Sequence, residues 1–187
     1  AKPTAQSRRL VKHITTQSVC WMLGEYALSH PRADVLHTLV HIITQATGAD
    51  VWYLTPGANS LGLHDMGVVP MHAPGYHACN QGSSAVEFIK QDKQLYWLHQ
   101  VEPEFDMYDG SGAVAALEQA KFVLTCTSYI TPHMLSYANV ILPLTTPNEM
   151  RGSLVNTLGT LQTLTAIQAP LALSRPGWKV YRVLANW

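Results

Sequence analysis

The chain has 187 residues, with 12 basic and 12 acidic side chains and no formal net charge when histidine is neutral. Charged residues make up 13% and hydrophobic residues 47%, against about 25% charged in an average soluble domain. That composition excludes a disordered chain, which needs high charge and few apolar residues, and a nucleic-acid binder that relies on bulk positive charge. A surface this poor in charge is weakly protected against association, so part of it is expected to lie against a partner.

The length suits one domain with a lobe or tail, large enough to bury about 70% of its unfolded surface without a disulfide staple. Cys20, Cys79 and Cys126 are odd in number and far apart, which points to a reducing compartment. No apolar run approaches the roughly 18 residues of a membrane helix. Arg8, Arg9 and Lys12 are not followed by the apolar stretch of a secretory signal. The first residue is not methionine, which fits processing and at least as well a segment cut from a longer protein, with residues 1–17 a leader or linker.

Residues 18–23 are an apolar run and predict a buried strand ended by Gly24. Pro31 opens a helical pattern in which Val35, Leu36, Leu39, Val40, Ile42 and Ile43 recur on one face, and Gly48 ends it. Residues 51–54 predict a second strand, broken by Pro56 and Gly57. A short helix is expected over 59–66. The stretch 71–84, rich in Gly, His, Pro and Asn, is a loop by composition. Residues 85–91 predict a helix and 95–98 a third strand. Residues 101–112 are acidic and irregular, with turn chemistry at 109–112. A helix over 113–121 leads into a fourth strand at 122–126. Thr131 and Pro132 open a helix running to about Tyr137, and 140–142 predict a fifth strand. The pattern then fades until an amphipathic helix over 178–184.

This alternation predicts βαβ units. The expected fold is α/β, a three-layer Rossmann-like parallel sheet with helices on both faces, over residues 18–145. An irregular extension with a C-terminal helix follows over 146–187. Strands buried on both faces read as near-continuous apolar runs, as these do. Ligands of such folds bind beyond the C-terminal strand ends, here residues 55–59, 100–104, 127–129 and 143–146.

Few residues stand in a pattern that carries chemistry. Gly110, Gly112 and Ala115 match a loose dinucleotide fingerprint, but the acidic loop before them separates them from the preceding strand, so a turn and helix start is expected. There is no phosphate-cradling G-x-x-x-x-G-K and no G-x-S-x-G elbow. His64, His72, His77 and Cys79 do not follow a zinc spacing, and His37 and His41 lack the glutamate of a metalloprotease helix. Cys126 stands at a strand end, with no histidine near it in sequence, and reads as a small buried residue. Three scattered cysteines cannot ligate an iron–sulfur cluster. No catalytic and no metal-ligating residue is expected.

From Ala138 the sequence reads A-N-V-I-L-P, then E-M-R-G-S-L-V-N-T-L-G-T-L-Q over residues 149–162. It resembles the signature A-D/N-V-V-L-P … E-x-x-G-T/S-x-x-N-x-E-G-R-x-Q of the molybdopterin oxidoreductase (formate dehydrogenase/DMSO reductase) superfamily. Pro170 and the P-G-W-K-V run at 176–180 resemble the proline-rich stretch and tryptophan-led helix that follow it. Gly24 and Glu25, His30 and Pro31, the stretch from Gly57 to Pro70, and residues 109–114 with the strand at Phe122 resemble one branch, the large iron–sulfur subunit of bacterial NADH:quinone oxidoreductase (respiratory complex I). The resemblance runs from about Val19 to Trp187. Two positions depart from it: Leu158 stands where the superfamily carries glutamate and Thr160 where it carries arginine.

The resemblance implies a non-catalytic lobe without a cofactor of its own, its parent carrying iron–sulfur clusters in an N-terminal part. The partners it implies are that part and the other peripheral-arm subunits, with no nucleic acid and no membrane insertion, on the cytoplasmic side of the inner membrane. A vestigial crevice would be lined by Asn59, Thr127, Ser128, Glu149 and Asn156; Glu149 and Asn156 can also staple loops. An alternative is a fragment of a molybdopterin-dependent enzyme such as a formate dehydrogenase or nitrate reductase, with a pterin beside those strand ends. A third is a stand-alone nucleotide-binding α/β protein using Gly110 to Ala115.

Overall fold

The computed structural model describes residues 2–16, 18–79, 82–91 and 93–186. Ala1, Gln17 and Trp187, which bound the expected leader and extension, lie outside the described residues, as do Asn80 and Gln81 of the loop at 71–84. Contacts cluster into two compact units, residues 1–62 with 155–160 and residues 63–154 with 161–187.

The first unit begins with α1 (Ala5–Thr16), followed by β1 (Cys20–Leu23), α2 (Glu25–Leu28), α3 (Ala33–Thr47) and β2 (Asp50–Tyr53). β1 and β2 pair in parallel, Trp21 opposite Val51, and α3 is the crossover that parallel pairing requires. The predicted stop of α3 is met. Gly48 takes the left-handed conformation, φ 69°, and its N–H donates to the Thr44 carbonyl at 2.8 Å. Val40 and Thr44 are the buried residues of α3, while Leu39 and Ile42 stay exposed. The His37 ring stacks on Tyr53 at 5.2 Å.

α4 (Ser60–Asp65) carries the chain onward to a small antiparallel hairpin, β3 (His72–Ala73) and β4 (His77–Ala78). The stretch expected as loop thus holds one turn of regular structure, closed through Gly75 at φ 72°. α5 (Ala85–Lys90) starts with a capping box: the Glu87 N–H donates to Ser84 Oγ at 3.3 Å and the Ser84 N–H to Glu87 Oε2 at 2.9 Å. The order then runs β5 (Leu95–His99), α6 (Pro103–Asp106), α7 (Gly110–Gln119), β6 (Phe122–Thr127), α8 (Met134–Tyr137), β7 (Val140–Pro143), β8 (Gly152–Val155), β9 (Leu161–Leu164) and α9 (Gly177–Leu184). α6 lies inside the stretch expected to be irregular. The paired strands β8 and β9 lie where the sequence pattern fades.

The five predicted strands form two parallel sheets. β1 pairs with β2, and β5, β6 and β7 make a second sheet in that order. In the second sheet Tyr96 and Leu98 face one way with Val123 and pack against Leu117 of α7 and Met134 and Tyr137 of α8. On the opposite face Tyr181 of α9 stacks over Trp97 and tilts over His99, each ring pair 5.1 Å apart. Helices therefore cover both faces of an α/β layer. The expectation of strands buried on both faces holds for β6 alone; β5 alternates exposed and buried residues. α9 has only 8 residues, and Leu95 remains 57% exposed.

Complete burial of an apolar side chain contributes roughly 1.5–3 kcal/mol, so Leu117, at 1% exposure, is a principal contributor. Leu117→Ala is expected to lower stability by about 2–5 kcal/mol, read from the urea midpoint. Tyr137 is buried beside it, and its hydroxyl has no hydrogen-bond partner among the described residues. Burial, then the carboxylates of Glu104 and Glu102, push its phenol from 10.0 up to about 12. The folded state keeps this proton where the unfolded chain has lost it, so stability falls as pH rises from 10.0 toward about 12. Tyr137→Phe is expected to flatten that decline in unfolding curves recorded across the alkaline range.

Candidate functional site

A parallel sheet brings all its C-terminal strand ends to one edge, and in the second unit this edge carries a polar network. Gln100 follows β5 with φ 50°, an uncommon conformation for a residue with a side chain. Its backbone N–H donates to the Cys126 carbonyl at 2.9 Å. Its amide Nε2 donates to Ser128 Oγ at 2.8 Å, and its Oε1 accepts the Ser128 N–H at 3.3 Å. Ser128 Oγ in turn donates to the Thr145 carbonyl at 3.1 Å. The ends of β5, β6 and β7 are thus tied through one serine.

Thr127 closes its own turn: its hydroxyl donates to the Tyr129 carbonyl at 2.8 Å and accepts the Tyr129 N–H at 3.2 Å. Thr145 Oγ1 is buried without a partner among the described residues.

The other three predicted crevice residues lie elsewhere. In the first unit Asn59 Oδ1 accepts the Val155 N–H at 2.8 Å. Gly62 makes room for that side chain, since a Cβ there would lie 2.2 Å from Asn59 Oδ1. Asn156 Oδ1 accepts the N–H groups of Leu158 and Thr160, each at 3.0 Å. Beside this turn, beyond the end of β2, a cavity of about 370 Å³ is walled by Trp52, Tyr53, Thr55, Leu61, Thr157 and Leu158. The Thr55 and Thr157 hydroxyls lie 3.4 Å apart.

In the second unit Glu149 is buried. Its Oε2 accepts the Thr146 N–H at 3.0 Å, and its Oε1 accepts the Leu171 N–H at 3.2 Å and Gln168 Nε2 at 3.5 Å.

The structure therefore brings Thr127 and Ser128 together and places Asn59, Asn156 and Glu149 each in a local loop network. A pterin diphosphate needs several donors directed at phosphate oxygens and ring edges. All five side chains are hydrogen-bonded within the chain. Arg175, whose backbone pairs with Thr145, turns its guanidinium to the carbonyls of Ala172 and Ser174. Each of the five is thus engaged within the chain's own loops. Among the described residues no cluster of three or more His, Cys, Asp or Glu side chains is placed to hold a metal ion.

Gly110 and Gly112 serve helix packing and capping. A Cβ at Gly110 would lie 2.5 Å from the Glu104 carbonyl, and the Gly112 N–H donates to Asp109 Oδ1 at 2.9 Å.

One pair is not apparent from the linear sequence. His99 and Cys126 are register partners on β5 and β6, although 27 positions of numbering separate them. Burial lowers the His99 pKa and raises that of the Cys126 thiol, the latter partly offset by a hydrogen bond with Trp97. The thiol is thus kept protonated and sheltered. The signal that could have found the pair is that both residues stand at the same end of neighbouring strands.

Glu149→Ala is expected to cost about 1–3 kcal/mol, because the Thr146 and Leu171 N–H groups lose their acceptor. Glu149→Gln, which keeps one acceptor oxygen, should lose clearly less in the same urea titration.

Known proteins are similar to this chain along nearly its whole length. Residues 9–187 match the family model for molybdopterin oxidoreductases. A protein of Staphylococcus haemolyticus described as "Putative formate dehydrogenase" is 21% identical over 198 residues, which covers 91% of this chain and 20% of that protein. A Staphylococcus aureus (strain USA300) protein with the same description is 22% identical over 195 residues, covering 90% of this chain and 20% of its own length. The chain thus spans about a fifth of the length of these curated relatives. It belongs to the molybdopterin oxidoreductase family.

Proposed function

We propose that the chain is a structural lobe of a larger molybdopterin-dependent oxidoreductase of the formate dehydrogenase type. The observation that carries this reading is the family match over residues 9–187 together with relatives about five times longer that carry that description. The lobe's own contribution is shape. Its α/β layer supports strand-end loops whose polar side chains are engaged in holding those loops rather than in binding. Redox chemistry then belongs to other parts of the parent protein. Cys20 is exposed, Cys79 half-buried and Cys126 buried, all as free thiols, and none of them has a role in electron transfer in this reading. Among the described residues no helix is long and apolar enough to cross a membrane.

A specific observation favours a second reading, the equivalent lobe of the iron–sulfur subunit of NADH:quinone oxidoreductase, peripheral to the membrane and packed against other subunits of that complex. Leu158 forms part of the wall of the cavity beyond β2, and Leu158 and Thr160 leave the Asn156 turn without the two charges of the superfamily pattern. Threonine cannot supply the bidentate contact of an arginine.

The parent protein purified from its native host decides between them. The first reading expects molybdenum and pterin in stoichiometric amounts and formate-driven reduction of an artificial acceptor. A parent free of both, co-purifying with NADH-driven quinone reduction, would overturn it in favour of the second.

A further inference from the structure

Charge is unevenly distributed along this neutral chain. From residue 119 onward the sequence has five basic residues, Lys121, Arg151, Arg175, Lys179 and Arg182, and one acidic residue, Glu149. Four of the five cations gather around α9. Arg151 and Trp178 line two adjoining cavities of about 510 and 660 Å³. Lys179 lines the first of these and also a third, of about 380 Å³, shared with Arg175 and Arg182. Trp178 is 54% exposed, and Lys179 Nζ and Arg182 Cζ each lie 5.4 Å from its ring centre. Cations at that distance are attracted by the face of the ring.

Glu149 is the one carboxylate among the described residues lining these cavities, and both its oxygens already accept hydrogen bonds. Apolar surface adjoins the cations: Ile167, in the wall of the first cavity, is 82% exposed, and Leu171, next to Pro170 in that wall, 76%. Arginine and tryptophan at the centre of an apolar patch are the usual composition of a protein interface.

We propose that this face docks an acidic segment of a protein partner. Carboxylates of the segment meet Arg151, Lys179 and Arg182, and an apolar or aromatic side chain lies on Trp178 and Ile167. Walls shared between neighbouring cavities make a groove rather than a closed pocket, which suits a stretch of chain. A nucleic acid fits less well. Exposed Ile167 and Leu171 beside the cations offer nothing to a sugar–phosphate backbone, which binds through clustered positive charge.

The test is fluorescence anisotropy of the full chain with a fluorescein-labelled peptide of alternating glutamate and leucine. Binding is expected, weakening steeply as salt is raised past the screening range. A lysine–leucine peptide should not bind. The variant Arg151→Glu with Lys179→Glu and Arg182→Glu, whose fold is checked by circular dichroism, should lose affinity by about tenfold or more. Trp178→Ala should lose it by a smaller factor. No binding of the acidic peptide by the unmodified chain would overturn the proposal, as would equal binding of the lysine peptide. Tighter binding of oligo-dT or ATP at the same face, abolished by the same charge reversals, would overturn it too. So would salt-sensitive self-association that the reversals abolish, which would assign the face to a second copy.

Discussion

Parallel pairing is the constraint on which the rest of this structure depends. A strand that runs alongside its predecessor cannot be reached by a tight turn, so the chain must cross back over the sheet. Between β5 and β6 it does so through α6 and α7, and between β6 and β7 through α8. That traffic supplies the helices that bury Tyr96, Val123 and Leu117. It also collects the C-terminal strand ends at one edge, where Gln100, Ser128 and Thr145 meet. β6 is central because it has a pairing partner on each side and helices on each face, which is why its residues are the most deeply sheltered of the sheet.

At the strand-end edge most polar side chains engage one another, Thr145 Oγ1 being the exception. Polar groups at such an edge have two options, an outside ligand or one another, because a buried group without a partner is costly. Here Gln100 satisfies Ser128 from both ends of its amide, and Ser128 passes the bond on to the Thr145 carbonyl just beyond β7. In the first unit Asn156 stitches its own turn, and the neighbouring cavity is walled by Trp52, Leu61 and Leu158 rather than by charge.

The elements legible in the sequence were those whose signals are local. The periodicity of α3 and its Gly48 stop are written within one stretch. The strands of both sheets were visible as apolar runs, but their division between two sheets is decided by pairing and leaves no mark on a single strand. α6 was missed because its support comes from the Asp106 carboxylate accepting the Glu102 N–H at 2.7 Å in a stretch with no periodicity. β8 and β9 were missed because they are largely exposed, so no burial pattern is imprinted on them. At the candidate site the positions were legible from the rule for parallel sheets, and the partners were not. Gln100 and Ser128 are 28 residues apart, and only the register of β5 on β6 brings them, or His99 and Cys126, side by side.

α9 has two sides with different duties. Its Tyr181 lies on Trp97 and His99, and at its start Gly177 sits so close to the His99 ring that a Cβ would come within 2.6 Å. From its other side Lys179 and Arg182 lie over Trp178. One short helix thus closes a face of the sheet with its tyrosine and holds its cations over Trp178 on the outside, so the same few residues decide both what is shut in and what is displayed.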